Sequence, residues 1–408
     1  LAQDEPSRIW AIRIAGNRVT QSELIEREMT SKVGMPVESS RLEADRRRLM
    51  SLGLFNHVDI AVVADQGRVV LRVTVTERFY IYPLPILAYD PLDPKRRVVG
   101  LRLHHDNFRG YGERLSIAYW DGYQNGASIL HRDPWFSIKG AFGVQIFGLT
   151  NRRELARPDT TGYVDTQTDL VALRLQHRLH QRSWIGFEGQ WEERYSKAAF
   201  YTLAGSGRDR LMVGRVFFEA DGRDHIYYPS SGYYLLAMTE SDMMIDTSHV
   251  FHLQLIDLRA YRPVGGVILA GRFYAENSLR QLPYYRRLEI SPVNIRSKQT
   301  ENLLGLGLAA LNLETRFNLL PLRYINGPNW ALVGPYVQNM KFSIEGLLFL
   351  DNAVVRRVAP QKELTLRAWG GGLQFQLPYV ETARIVAGWN PESRLGDPFL
   401  HASLDVTF

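Results

Sequence analysis

From Phe79 to the C-terminus the chain is written in segments of about ten residues in which apolar and polar side chains alternate, with turn residues or loops between them. In LVALRLQHRL, Val171, Leu173, Leu175 and Leu179 share one face while Ala172, Arg174, Gln176 and Arg178 share the other. In WIGFEGQWEE, Ile185, Phe187 and Trp191 oppose Glu188, Gln190 and Glu192. A period of two demands strands. A soluble sandwich also alternates, but at this size it needs a large buried apolar layer and continuous apolar central strands. Here one face carries Arg, Gln and Glu repeatedly, which suits a polar lumen behind a lipid-facing wall.

The pattern predicts an all-β transmembrane antiparallel barrel of about sixteen strands over residues 79–408, at roughly twenty residues per strand and connection. The first strand starts near Ile81 and the last near Phe399. Three long interruptions, 151–165, 279–301 and 320–339, are expected to be loops on the outer side of the membrane.

Composition agrees. Aromatic residues make up 11% of the chain, yet mean hydropathy is only -0.21. No run of apolar residues is long enough for a helical span, and alternating strands average to this near-neutral value. The absence of Cys removes disulfides, thiolate metal sites and cysteine nucleophiles. The net charge of +6 is scattered rather than gathered into a patch, so no nucleic-acid partner is expected. His177 and His180 face opposite sides of a strand and cannot share a metal, and no Gly-x-Ser-x-Gly elbow is present. No enzyme activity, cofactor or metal is expected. Leu1 is not a Met, as expected where a leader and further domains have been removed from the front.

Residues 1–78 follow different rules. Ile9 to Ile14 reads as a strand closed by the turn pair Gly16-Asn17. Thr20 with Glu23, and Ser40 with Glu43, have the spacing of capping boxes opening two helices, and Gly53 ends the second. Two strands joined at Asp65-Gln66-Gly67 complete a β-α-α-β-β unit.

This unit, with its "GNRVT", "RLMSLGLFNHVDI" and "VVLRVTVTER" segments, resembles a POTRA domain. The resemblance implies that Leu52, Gly53 and Phe55, within the family's Leu-Gly-x-Phe element, pack the second helix on the sheet. The segments LHHDNFRGYGERLSIAYWDG and FEADGRDHIYYPSSGYYLLAMTE are similar to barrel hairpins of the BamA-type family of assembly and translocation proteins. So is the C-terminal strand, in which Leu404, Val406 and Phe408 alternate with polar residues. In that family a loop folds back into the barrel and plants an arginine against acidic residues of the wall. Here the corresponding stretch is Ile295-Arg296-Ser297-Lys298, which keeps the arginine and lacks the family's glycine and aromatic residue. Parity places Glu314 and Asp351 on lumen faces as its partners.

The resemblance implies a bacterial outer-membrane location with the N-terminal domain in the periplasm. Partners would be the lipid bilayer, unfolded outer-membrane or secreted polypeptides, and periplasmic proteins or lipoproteins on the POTRA-like domain. One function it implies is assembly of client barrels, with client strands templated at a seam between the first strand (Ile86, Leu87, Tyr89) and the last (Leu404, Val406, Phe408). Pro83 and Pro85 remove backbone donors there and predict a short seam. The alternatives are a translocation pore of the same superfamily and a structural barrel subunit that inserts nothing.

Overall fold

The computed structural model describes residues 8–90, 93–136, 141–156, 162–180, 182–226, 228–290, 294–297, 304–330, 334–358, 363–377, 382–391 and 398–404. Strand β1 (Ile9–Ala15), helices α1 (Ser22–Glu28) and α2 (Ser39–Ser51), and strands β2 (Phe55–Asp65) and β3 (Arg68–Glu77) form the N-terminal domain. β3 is central, parallel to β1 and antiparallel to β2. The two-residue turn between β2 and β3 needs positive φ at both positions, and Gln66 (50°) and Gly67 (77°) supply it. The helices cover one face of the sheet. Leu24, Ile25 and Leu49 interlock there with Val58, Leu71 and Val73, all fully buried. Trimming such a side chain to Ala costs about 2–5 kcal/mol.

Gly53 sits just beyond α2 with φ of 72°, where a left-handed residue ends a helix. Leu54 and Phe55 are buried in the core and Leu52 packs at its margin. The two expected capping boxes do not form. The caps are Gln21 and Glu38, neither of which makes a side-chain cap bond. Thr20 is held by tertiary partners, its amide donating to Glu77 at 2.7 Å and its hydroxyl bonding Tyr80 at 2.9 Å. Glu43 accepts from Arg46 and Arg47 within its own helix.

The remaining strands begin with β4 (Ile81–Asp90), β5 (Asp93–Phe108), β6 (Glu113–Gly122), β7 (Gln124–Asp133), β8 (Phe142–Ala156) and β9 (Tyr163–His180). β10 (Ser183–Ser196), β11 (Arg208–Asp221), β12 (Gly232–Met244), β13 (Val250–Val264) and β14 (Val267–Ser278) follow. A two-residue ladder joins β15 (Leu288–Glu289) and β16 (Leu304–Gly305). Then come β17 (Gly307–Ile325), β18 (Met340–Arg356), β19 (Leu364–Gln376), β20 (Ala383–Trp389) and β21 (Phe399–Leu404). Apart from β15 and β16 these make one sixteen-stranded sheet paired in chain order, with β4 and β21 as its first and last members.

The sheet is inside out relative to a soluble protein. On β9 and β10, Leu173 is 45% and Phe187 52% exposed, while Glu192 on the opposite face is 0% exposed. Apolar side chains cover the outside and charged ones fill the interior, as a lipid-facing wall around a polar lumen requires. No helix among the described residues is long and apolar enough to cross a membrane.

Two loop expectations need correction. Segment 151–165 is largely strand, because β8 and β9 stay paired out to Ala156 and Tyr163. Segment 320–339 begins as strand and lies at the same end as the N-terminal domain. The side chain of Asn56 donates to the carbonyls of Tyr336 at 2.8 Å and Gln338 at 3.0 Å.

Candidate functional site

The connection between β14 and β17 turns back into the lumen. Asn294 to Ser297 runs along the wall at β17 and β18, and Arg296 enters a pocket made by Glu314 of β17 and Asp351 of β18. Asn312, two residues before Glu314 and so on the same face, pairs with Asp351 across the two strands, and alternation therefore turns Glu314 and Asp351 to the same inner face. The Arg296 guanidinium grips Asp351 with two donors, Nε at 2.8 Å and Nη2 at 2.6 Å, and its backbone amide adds a third bond at 3.0 Å. Its Nη1 reaches Glu314, and its plane lies 4.2 Å from the ring centre of Phe349. Both carboxylate side chains are fully buried. The structure thus joins the three residues that the sequence had singled out.

Two further arginines complete the cluster. Arg316 Nε donates to Glu314 at 2.7 Å, and Arg384 of β20 donates to Glu314 at 3.2 Å and to Gln374 at 2.7 Å. Arg316 shares the polar face of Glu314 and was visible by parity, whereas nothing local marks Arg384. Forked, charge-assisted bonds of this kind fix position as well as energy.

A second pin holds the same connection further round the wall, at β10 and β12. Arg286 pairs with Glu192 of β10 at 3.0 Å and with Asp242 of β12 at 2.7 Å. The hydroxyl of Tyr285 donates to Asp209 at 2.8 Å, and Tyr284 meets Phe200 edge to face at 5.2 Å. Around the two pins, Leu282, Leu288, Ile290 and Ile295 pack on lumen-facing Met244 and Val355 in one buried cluster. The connection is a strap inside the lumen that shares an apolar core with the wall from β11 to β18.

At the other end the N-terminal domain is docked on the barrel mouth. Arg178 at the base of β9 pairs with Glu28 at 3.0 Å and stacks 4.5 Å from the ring centre of Trp135, which Arg27 approaches at 3.9 Å. The turn between β5 and β6 is tied in by Asn107, which donates to Thr20 at 2.9 Å, and by the Gly110 carbonyl, which accepts from the Gln21 amide at 3.0 Å. The Asp106 to Gly112 segment, within the stretch that resembles a barrel hairpin, is therefore also the joint between domains. Within the mouth, burial and nearby Lys341 push the His225 ring down to about 3, so it is neutral at pH 7.

Of the seam residues, Ile86 pairs with Gly100, Leu87 with Val99 and Tyr89 with Arg97. Leu404 pairs with Ala383, and Val406, Phe408 and Lys298 lie outside the described residues.

The family model described as "POTRA: Surface antigen variable number repeat" matches residues 7–78. BamA from Haemophilus ducreyi lacking POTRA domains 1-3 superimposes with a TM-score of 0.57 at 12% identity, over 98% of this chain and 84% of that one. The chain therefore has the fold of a POTRA domain followed by a barrel like that of BamA. CdiB from Escherichia coli gives a TM-score of 0.63 at 13% identity, over 97% of this chain and 75% of the other. CdiB from Acinetobacter baumannii gives 0.55 at 12%, over 98% and 73%. A comparison with curated protein sequences finds no match. At these identities the shared property is the fold, that of outer-membrane barrels with a POTRA domain on the periplasmic side.

Proposed function

We propose that this chain assembles client proteins into the outer membrane, offering the β4 and β21 edges as a template and using its POTRA domain to gather extended polypeptide. The observation that carries this reading is the strap: two arginine pins and an apolar core occupy the lumen, so the wall is the route that remains for a client. A strand entering lipid has to satisfy each backbone donor and acceptor, and an edge strand provides partners for them. POTRA sheet edges suit extended segments for the same reason.

The test is reconstitution into liposomes with an unfolded barrel client, scored by the client's heat-resistant mobility and protease protection. The chain has no Cys, so cysteines replacing Leu87 and Leu400 are the only thiols, and a bismaleimide spans β4 and β21. The expected result is faster client folding that disappears on cross-linking. Acceleration that survives the cross-link refutes the seam as template. No acceleration by correctly folded protein refutes assembly and favours polypeptide translocation or a structural role.

A further inference from the structure

Strand β17 outlasts its neighbour. β14 pairs with it no further than Val267 opposite Phe317, yet β17 continues to Ile325 beside β18. On the other side, β19 pairs with β18 only as far as Gln376 opposite Ser343. A tongue, residues 318–325 paired with 340–345, therefore projects from the barrel on the POTRA side, and at 323–325 with 340–342 it is flanked by neither β14 nor β19 among the described residues. At about 3.3 Å per residue it reaches at most ~25 Å beyond the neighbouring hairpin.

One face of the tongue belongs to the POTRA domain. Tyr324 meets His57 edge to face at 5.6 Å, and Tyr336 in the connecting turn meets Phe79 at 6.0 Å. Elsewhere the tongue is bare: Leu319 is 56%, Leu322 47% and Ile325 41% exposed, with Trp330 in the turn at 65%. Leu319 keeps the outward parity of Leu311, Leu313 and Phe317, and beyond it the register slips leave Leu322 and Ile325 exposed next to that lipid-facing row.

Two occupants suit an apolar strand pair with a free edge, a further strand or a lipid surface. The edge is a poor template, since Pro321 has no amide hydrogen and the register slips between Asn318 and Leu320 and again between Leu320 and Arg323. The apolar surface is continuous with the lipid-facing wall, and it carries an exposed Trp and the exposed Arg323, residue types that favour the headgroup boundary. We propose that this tongue lies on the phospholipid leaflet on the POTRA side, with Leu319, Leu322 and Ile325 dipping below the headgroups and Arg323 meeting lipid phosphates. It would hold the POTRA domain, which packs on its other face, at a fixed height above the membrane.

The test uses the full chain in phospholipid vesicles, with Leu322→Cys labelled by a polarity-sensitive fluorophore. Leu313→Cys serves as the mid-wall reference and Val62→Cys as the aqueous POTRA reference. Heat-modifiable mobility confirms that each variant is folded. The expected result is blue-shifted emission at position 322, quenched by lipids spin-labelled near the headgroup, while 313 responds to deep spin labels and 62 to aqueous iodide. Iodide quenching at 322 matching that at 62 overturns the proposal. So does shielding at 322 from both iodide and lipid quenchers, which points to a protein occupant.

Discussion

Replacing Arg296 with Ala tests whether the anchor holds the strap down. Asp351 loses both side-chain donors, while Glu314 keeps Arg316 and Arg384. Removing one partner of a buried pair costs about 3–5 kcal/mol because the other charge is left uncompensated. The two arginines that remain on Glu314, and the backbone amide that still reaches Asp351, argue for the lower figure. About 3 kcal/mol corresponds to a roughly hundredfold larger undocked population. Ser297 reads that population well. It is buried, its hydroxyl has no hydrogen-bond partner among the described residues, and Cys replaces it in a chain with no other thiol. When opening and closing are fast, labelling by a bulky maleimide tracks the open fraction. Ser297→Cys is expected to label about a hundredfold faster with Arg296→Ala, and about tenfold faster with Arg296→Lys, which keeps charge but not the fork. Adding Asp351→Asn to the Ala variant removes the orphaned charge and should recover part of the protection. An acceleration under about threefold, in barrels that keep heat-modifiable mobility, would refute the anchoring argument, since ~0.6 kcal/mol is the scale of a surface pair.

Arg286→Ala leaves Asp242 without the ion pair it makes to the strap, and should raise ion conductance of the barrel in planar bilayers; unchanged conductance would show that the second pin seals nothing. Arg178→Ala removes the paired bonds to Glu28, worth roughly 1.5–3 kcal/mol for hydrogen bonds to charged groups, and should broaden the POTRA-to-barrel distance distribution between spin labels at positions 62 and 233. Burial acts to raise the Asp45 carboxyl, but hydrogen bonds from Thr30 and Ser31 outweigh it and hold the folded-state value below the ordinary one. Its contribution is therefore complete above the unfolded pKa of about 3.9 and is lost as pH falls through that value and below. Amide exchange of Thr30 and Ser31, corrected for intrinsic rates, should accelerate on acidification below about pH 4 in the wild type, whereas Asp45→Asn exchanges fast throughout; equal pH dependence in both would refute the assignment.

The strands were legible because lipid outside and charge inside stamp a period of two on every wall segment, and the first and last starts, expected near Ile81 and Phe399, coincide with observed ones. Beyond the lipid that pressure lapses. Residues 151–156 in NRRELA carry no apolar face although they remain paired, so their strand was read as loop. The end at which 320–339 emerges was available from counting, since the chain returns after twelve spans to the side from which it started. The anchor's Glu314 and Asp351 followed from parity, but Arg384 and Arg286 meet their partners only through closure of the wall and the path of the strap. The spacing of Thr20 and Glu23 suited a capping box, yet Thr20 was taken by Glu77, Tyr80 and Asn107 from outside its own segment.

The strap's two kinds of contact do different work. Burying an apolar side chain the size of Leu or Ile is worth about 1.5–3 kcal/mol, and Leu282, Leu288, Ile290 and Ile295 each do so inside the lumen. Buried ion pairs gain far less on balance, because the charges surrender their hydration to form them. The apolar core therefore supplies most of the attraction, while Arg286 at β10 and β12 and Arg296 at β17 and β18 fix where along the lumen it settles. A lumen that fills with water when the strap leaves also rehydrates Glu192, Asp242 and Asp351, which limits the cost of release. Strong adhesion with a bounded release cost is the property expected of a closure that opens during work.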